Sequence, residues 1–170
     1  AKVAIGDIDP HAAQAAAEAI GRGAVGLPLD VSSTDSFTAF VEAVEQVLGP
    51  IDVLVNNAGI MWVGDWLAES EATAKRQFEV NFHGVVRGMK IVVPRMLARG
   101  GGHVVNVASV ASKVTVAGEA TYAATKHAVQ GYSASVRHEL AGTPVDISVV
   151  MPVVVGTELA AGTASGGVPP

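Results

Sequence analysis

Cysteine is missing altogether from these 170 residues, which excludes disulfides and thiolate metal sites and is compatible with a reducing cytosol. Aromatic residues are scarce at 5% and charged residues reach only 16%. No apolar run attains the ~18 residues that a membrane helix needs, because charges interrupt every candidate. Positive charge is also short. Eleven Lys and Arg against 16 Asp and Glu leave a net charge of −5, with no basic cluster to attract nucleic acid. The five histidines (His11, His83, His103, His127 and His138) lack metal-site spacing and are expected at the surface. A G-x-S-x-G nucleophile elbow is absent as well.

What is abundant is aliphatic. Hydrophobic residues make up 49% and mean hydropathy is +0.40, carried by Val, Ala, Leu and Ile. That composition suits strands buried on both faces. Short β-rich runs stand at 2–6, 24–29, 51–55, 103–107 and 145–150, and helix-like stretches at about 11–22, 34–48, 70–98 and 121–141. Such alternation points to βαβ crossovers: a single α/β domain over 1–170 with a parallel sheet between helix layers. Ser33, Thr34 or Asp35 can cap the helix before Phe37, and "LGP" at 48–50 ends it.

One further absence concerns the fold itself. A dinucleotide-binding βαβ unit opens with a glycine-rich turn, where a helix N-terminus meets the pyrophosphate. Nothing like G-x-G-x-x-G occurs near residue 1, and the chain starts Ala-Lys-Val with neither an initiator Met nor a signal-type segment. In the doubly wound order 3-2-1-4-5-6 the first strand is central. If 2–6 is the second strand, a sheet without its middle leaves two rows of backbone groups unpaired. The expectation is that residues precede Ala1.

Seven short motifs run in order: "GDID" (6–9), "LDV" (29–31), "NNAG" (56–59), "VNFHG" (80–84), "VASVAS" (107–112), "YAATK" (122–126) and "MPVVVGT" (151–157). Together the chain resembles a short-chain dehydrogenase/reductase, with a Rossmann-type doubly wound parallel sheet in three α/β/α layers. The resemblance implies an NAD-dependent oxidoreductase interconverting a secondary alcohol and a ketone, working in the cytoplasm as a homodimer or homotetramer. Asp7 would take the ribose hydroxyls of NAD and repel the 2′-phosphate of NADP; otherwise it is a turn residue, with Asp9 as the helix cap. Asp30 and Val31 would meet the adenine, or merely form a turn. Asn57, Ala58 and Gly59 would lie along the cofactor, while Asn56 braces the sheet.

The catalytic set implied is Asn81, Ser109, Tyr122 and Lys126. Ser109 precedes Tyr122 by thirteen residues and would hold the substrate oxygen, with Ser112 as a plain loop serine. Tyr122 and Lys126 sit at i and i+4 on one helical face. The ammonium is expected to pull the phenol down from its ordinary value near ~10, while the same Lys holds the nicotinamide ribose. Asn81 would support a helix kink and a proton relay. Tyr132 has no such lysine partner. Thr157 would contact the nicotinamide carboxamide, but Val153 stands where the family usually has Gly, so the path there is expected to differ.

The substrate is expected to be apolar, from Met61, Trp62, Val110, Val114, Val153 and Val154. The stripe Ala128, Val129, Tyr132, Val136 and Leu140 suits either a dimer contact or packing on the domain's own sheet. Two other readings stay open. One is a catalytically silent member serving as a binding or structural protein, which NADH titration would reveal. The other is a nucleotide-sugar epimerase or dehydratase with the same Tyr-x-x-x-Lys pair, which the natural chain length would reveal.

Overall fold

The computed structural model of the chain describes residues 1–153. Five strands alternate with helices: β1 (Ala4–Asp7), α1 (Pro10–Ile20), β2 (Val25–Pro28), α2 (Thr34–Leu48), β3 (Val53–Asn56), α3 (Glu71–Phe78), α4 (Gly84–Ala98), β4 (Gly102–Val107), α5 (Ala120–Glu139) and β5 (Val145–Val150). The expected strand and helix positions hold to within a few residues. The exception is the single helix expected at 70–98, which is α3 and α4 joined by one π-helical turn, Glu79–His83.

Local chemistry accounts for the helix ends. Asp9 caps α1 by accepting from the His11 amide at 2.8 Å, with Pro10 at the first helical position. Ser33 caps α2, accepting from the Ser36 amide, and Gly49 closes it at φ 91°. Along α2, Phe37, Val41 and Val44 are buried at helical spacing, and along α4 so are Val85, Met89, Val92 and Met96.

All strand pairs are parallel, but they form two sheets among the described residues: β1 with β2, and β3-β4-β5. In the doubly wound order these are positions 2 and 3 on one side and 4, 5 and 6 on the other. Position 1 is supplied by none of the described residues, and β1 and β3 both border the cleft between the sheets. Val53 and Val55 of β3 are 55% and 54% exposed. Both valines border the cleft at the position that none of the described residues supplies.

The layers follow from two glycines. A Cβ on Gly26 would lie 2.4 Å from the Ala13 carbonyl, so α1 rests directly on β2. A Cβ on Gly6 would strike Leu29 and Phe40, so α2 covers the opposite face of β1–β2. The main core lies on that second side, where Phe37 and Val41 of α2 meet Leu54, Val104 and Ile147 of the strands, Met89 and Met96 of α4, and Val129 of α5. Tyr132, Val136 and Leu140 pack against the same core. Apart from Ala128, the apolar stripe of α5 is thus used inside the domain, which accounts for it without a dimer contact.

Candidate active site

Strand ends and loops place the candidate residues along the cleft between the two sheets, which includes the position of the doubly wound order that none of the described residues supplies. Asp7, Asp30, Val31, Asn57, Ala58, Gly59, Ser109, Tyr122 and Lys126 all line it. Asn81 sits just behind the wall, and Thr157 lies outside the described residues.

On the β1–β2 side, Asp7 ends β1 exposed, with Oδ1 accepting from the Asp9 amide at 2.9 Å. It is a turn residue whose second oxygen remains free for a ligand. Asp30 Oδ1 accepts from the Ser32 hydroxyl (2.6 Å) and amide (2.9 Å). Those bonds, with Arg76 and Arg87 nearby, hold its carboxyl below the usual carboxylate range. Arg76 reaches Ser32 Oγ, and Arg87 donates to the Val31 carbonyl while paired with Glu79. The turn that the sequence offered as the bland account of Asp30 is therefore formed. It engages Oδ1 alone, and both Asp30 and Val31 still border the cavity.

At the end of β3, Asn56 braces the sheet as expected, and the rest of "NNAG" faces the cleft. Asn56 is buried and donates to Asn106 Oδ1 of the neighbouring strand at 2.8 Å, and Asn106 in turn donates to Ser133 of α5. Asn57 and Ala58 are exposed to the cavity. Gly59 lies against the two catalytic candidates behind it: a Cβ there would be 3.5 Å from both Asn81 Oδ1 and Lys126 Nζ.

Asn81 is fully buried in the π-helical turn. Its Oδ1 accepts from the Ile60 amide, and its Nδ2 donates to the Ile60 carbonyl, each at 2.8 Å. Nδ2 also donates to Thr125 Oγ1 at 3.1 Å, and that hydroxyl donates to the Tyr122 carbonyl at 2.7 Å. A π-turn re-aims a side chain without ending the helix. The mid-helix Asn thereby clamps the loop after β3 to α5.

Ser109 follows β4 and accepts from the Ala111 amide. Ser112 is buried and donates to the Ser109 carbonyl at 2.6 Å, a loop brace. Tyr122 is 6% exposed and Lys126 4% exposed. The ammonium lies 5.6 Å from the Tyr122 ring centroid and donates to the Val107 carbonyl at 3.0 Å. Burial pulls Lys126 down to about 8. Burial pushes Tyr122 up, and Glu119 adds to this, while hydrogen bonding with Ser109 works the other way.

The expectation that Lys126 lowers Tyr122 is therefore corrected. Removing the phenol from water outweighs the partners around it. Tyr132 is likewise pushed up by burial and stacks edge-on against Phe82 at 5.8 Å, as a packing residue.

Of the apolar candidates, Met61, Val110, Val114 and Val153 line the cavity, whereas Trp62 does not and Val154 lies outside the described residues. Four histidines are exposed. His103 is half-buried instead, hydrogen-bonded to Ser148, because β4 is flanked by strands on both sides. No group of three or more candidate metal ligands occurs among the described residues.

Thr125 and Gln77 were missed from sequence. Both were discoverable in principle: Thr125 lies three residues after Tyr122 and Gln77 four before Asn81, each polar on the inward face of its helix.

Parallel strands flanked by helices, a cleft between the two sheets that reaches their carboxyl ends, and a buried Tyr-x-x-x-Lys on its wall define a Rossmann-type α/β protein of the dinucleotide-binding class. The sequence profile of the short chain dehydrogenase family matches residues 1–166, and the chain belongs to that family. It is 39% identical over 137 residues to the ketoacyl reductase HetN of Nostoc, covering 81% of this chain and 48% of that protein. Among solved structures it resembles a short-chain dehydrogenase/reductase from Burkholderia phymatum in complex with NAD (TM-score 0.89, 31% identity, 94% of this chain and 59% of that one). It also resembles a gluconate 5-dehydrogenase from Burkholderia cenocepacia in complex with NADP and tartrate (TM-score 0.86, 30% identity, 94% and 64%). The chain thus spans less than two thirds of each of these proteins.

Proposed function

We propose that the protein is an NAD(H)-dependent oxidoreductase interconverting a secondary alcohol and a ketone, with Asn81, Ser109, Tyr122 and Lys126 as its catalytic set. The observation carrying this reading is the buried Tyr122–Lys126 pair beside Ser109, on the wall of a cavity whose far side presents Asp7 and Asp30. The residues fit a nicotinamide dinucleotide. Asp7 keeps a free carboxylate oxygen for ribose hydroxyls, Asp30 and Val31 stand at the adenine end, and Asn57 to Gly59 line the path between. Thr157 would serve the carboxamide. Asp7 favours NAD over NADP, whose added phosphate it would repel.

When bound, the nicotinamide supplies or accepts the hydride. The chain's own residues handle the oxygen and its proton. Ser109 donates a hydrogen bond to the carbonyl oxygen, and stabilises charge as it develops there. Tyr122, kept as the neutral phenol by burial, donates its proton to that oxygen in the ketone-reducing direction and takes it back in the other. Lys126 holds positive charge 5.6 Å from the centre of the Tyr122 ring and tunes the phenol. Asn81 keeps the loop after β3 seated on α5. Met61, Val110, Val114 and Val153 give the substrate end an apolar lining, which supports a hydrophobic alcohol or ketone. A cytoplasmic setting and assembly as a homodimer or homotetramer belong to the same proposal, resting on the family resemblance alone.

Tyr122→Phe in the whole protein is expected to lose turnover on a panel of hydrophobic ketones by at least about a hundredfold. NADH binding, followed by fluorescence, should stay close to wild type. Near-wild-type turnover in that variant would sink the assignment.

A further inference from the structure

Gln77 is among the largest fully buried side chains, at 1% exposure, yet it lies in α3 and is not a member of the proposed catalytic set. A primary amide is costly to bury unless its polar atoms are paired. Both ends are used. Oε1 accepts from the Trp62 amide at 3.2 Å, and Nε2 donates to Glu69 Oε1 at 2.5 Å. The second oxygen of Glu69 accepts from Thr121 Oγ1, also at 2.5 Å. Thr121 is the second residue of α5 and immediately precedes Tyr122. The chain Trp62–Gln77–Glu69–Thr121 therefore ties the loop after β3, α3 and the first turn of α5 into one unit. A backbone bond from the Gly64 amide to the Gly118 carbonyl, 3.0 Å, joins the same loop to the approach to α5.

The first turn of α5 needs such support. No side chain caps it, because Glu119 makes no capping hydrogen bond. Thr121 is a second point, beside the Asn81–Thr125 contact, at which an outside group grips the turn carrying Tyr122, and Met61 on the cavity wall adjoins Trp62 at the other end.

We propose that Gln77 and Glu69 are positioning residues. They hold the phenol of Tyr122 and the substrate-side loop at a fixed separation, so that the ketone is presented to Tyr122 without touching either of them. This rests on the oxidoreductase reading above. Glu69→Ala and Thr121→Val both cut the Glu69–Thr121 bond, the last link to the turn carrying Tyr122, so each should lower kcat about tenfold, and the double variant no further than Glu69→Ala alone. The NADH binding constant should remain within about twofold, because Asp7 and Asp30 lie on the other side of the cavity. Thr121→Ser keeps the hydroxyl. Glu69→Gln keeps an acceptor for Gln77 and offers an amide to Thr121. Both should keep kcat within about twofold of wild type.

The test is steady-state kinetics of these variants in the whole protein, with hydrogen exchange of the Trp62 and Ala123 amides measured in parallel. Additive losses, a loss in Thr121→Ser as large as in Thr121→Val, or unchanged exchange in Glu69→Ala would overturn the proposal. If the wild-type protein turns over no ketone with NADH, the oxidoreductase reading fails by itself. Faster exchange at both amides in Glu69→Ala would then still establish the bridge, and unchanged exchange would refute it.

Discussion

At the scale of single residues, Lys126 carries the sharpest consequence. Its ammonium is buried, its Nζ donates to the Val107 carbonyl, and its value falls from the ordinary 10.5 to about 8. If positive charge there supports Tyr122, kcat for ketone reduction should decline as pH rises through about 8. Lys126→Arg, whose guanidinium keeps its proton throughout this range, should lack that limb. The same shift bears on stability with a definite sign. Between about 8 and 10.5 the unfolded chain binds the Lys126 proton and the folded chain does not, so this group makes stability rise with pH across that window. Urea midpoints measured at about pH 7 and about pH 9.5, on either side of the folded value, should therefore differ more favourably in the wild type than in Lys126→Met. Tyr122 shows why residue identity was legible and residue state was not. The i, i+4 pairing stands in the sequence, whereas the extent of burial that raises the phenol depends on Ala111, Ala123 and Met61 packed around it.

Elements were read well where a single helix or strand carried its own pattern. Ser33 and Gly49 bracket α2 by local chemistry, and the strand runs match because β-rich segments end at turn residues. The π-turn at Glu79–His83 was not visible as such, because an inserted residue in a helix leaves no compositional mark. Glycines separate local preference from packing. Gly26→Ala would push a methyl to 2.4 Å from the Ala13 backbone, which cannot yield without moving α1, so a loss of about 1–3 kcal/mol is expected. Gly131 lies inside α5, and a Cβ at that position would meet nothing within 4 Å, so Gly131→Ala should gain roughly 0.5–1 kcal/mol. Chemical denaturation of the two variants side by side checks both signs.

At the largest scale, the candidate site residues stand on both sides of the cleft between β1 and β3, where the doubly wound order has its first strand. The proposed cofactor would reach from Asp7 at the end of β1 to Tyr122 on α5, so recognition and chemistry would lie on opposite walls. Asp7→Ala should accordingly weaken NADH binding more than NADPH binding, shifting the ratio about tenfold (roughly 1.4 kcal/mol) and leaving kcat at saturating cofactor near wild type. Titration of both nucleotides into the variant measures this directly. What the sequence determined alone was periodic and local: the alternation of strands and helices, the caps, and the order of seven motifs that marks the family. Only the tertiary structure decided that the α5 stripe is spent on the domain's own core, and that Gln77 and Glu69 reach the first turn of α5. Those outcomes depend on contacts between residues far apart in the chain, and such contacts leave no period for a sequence to display.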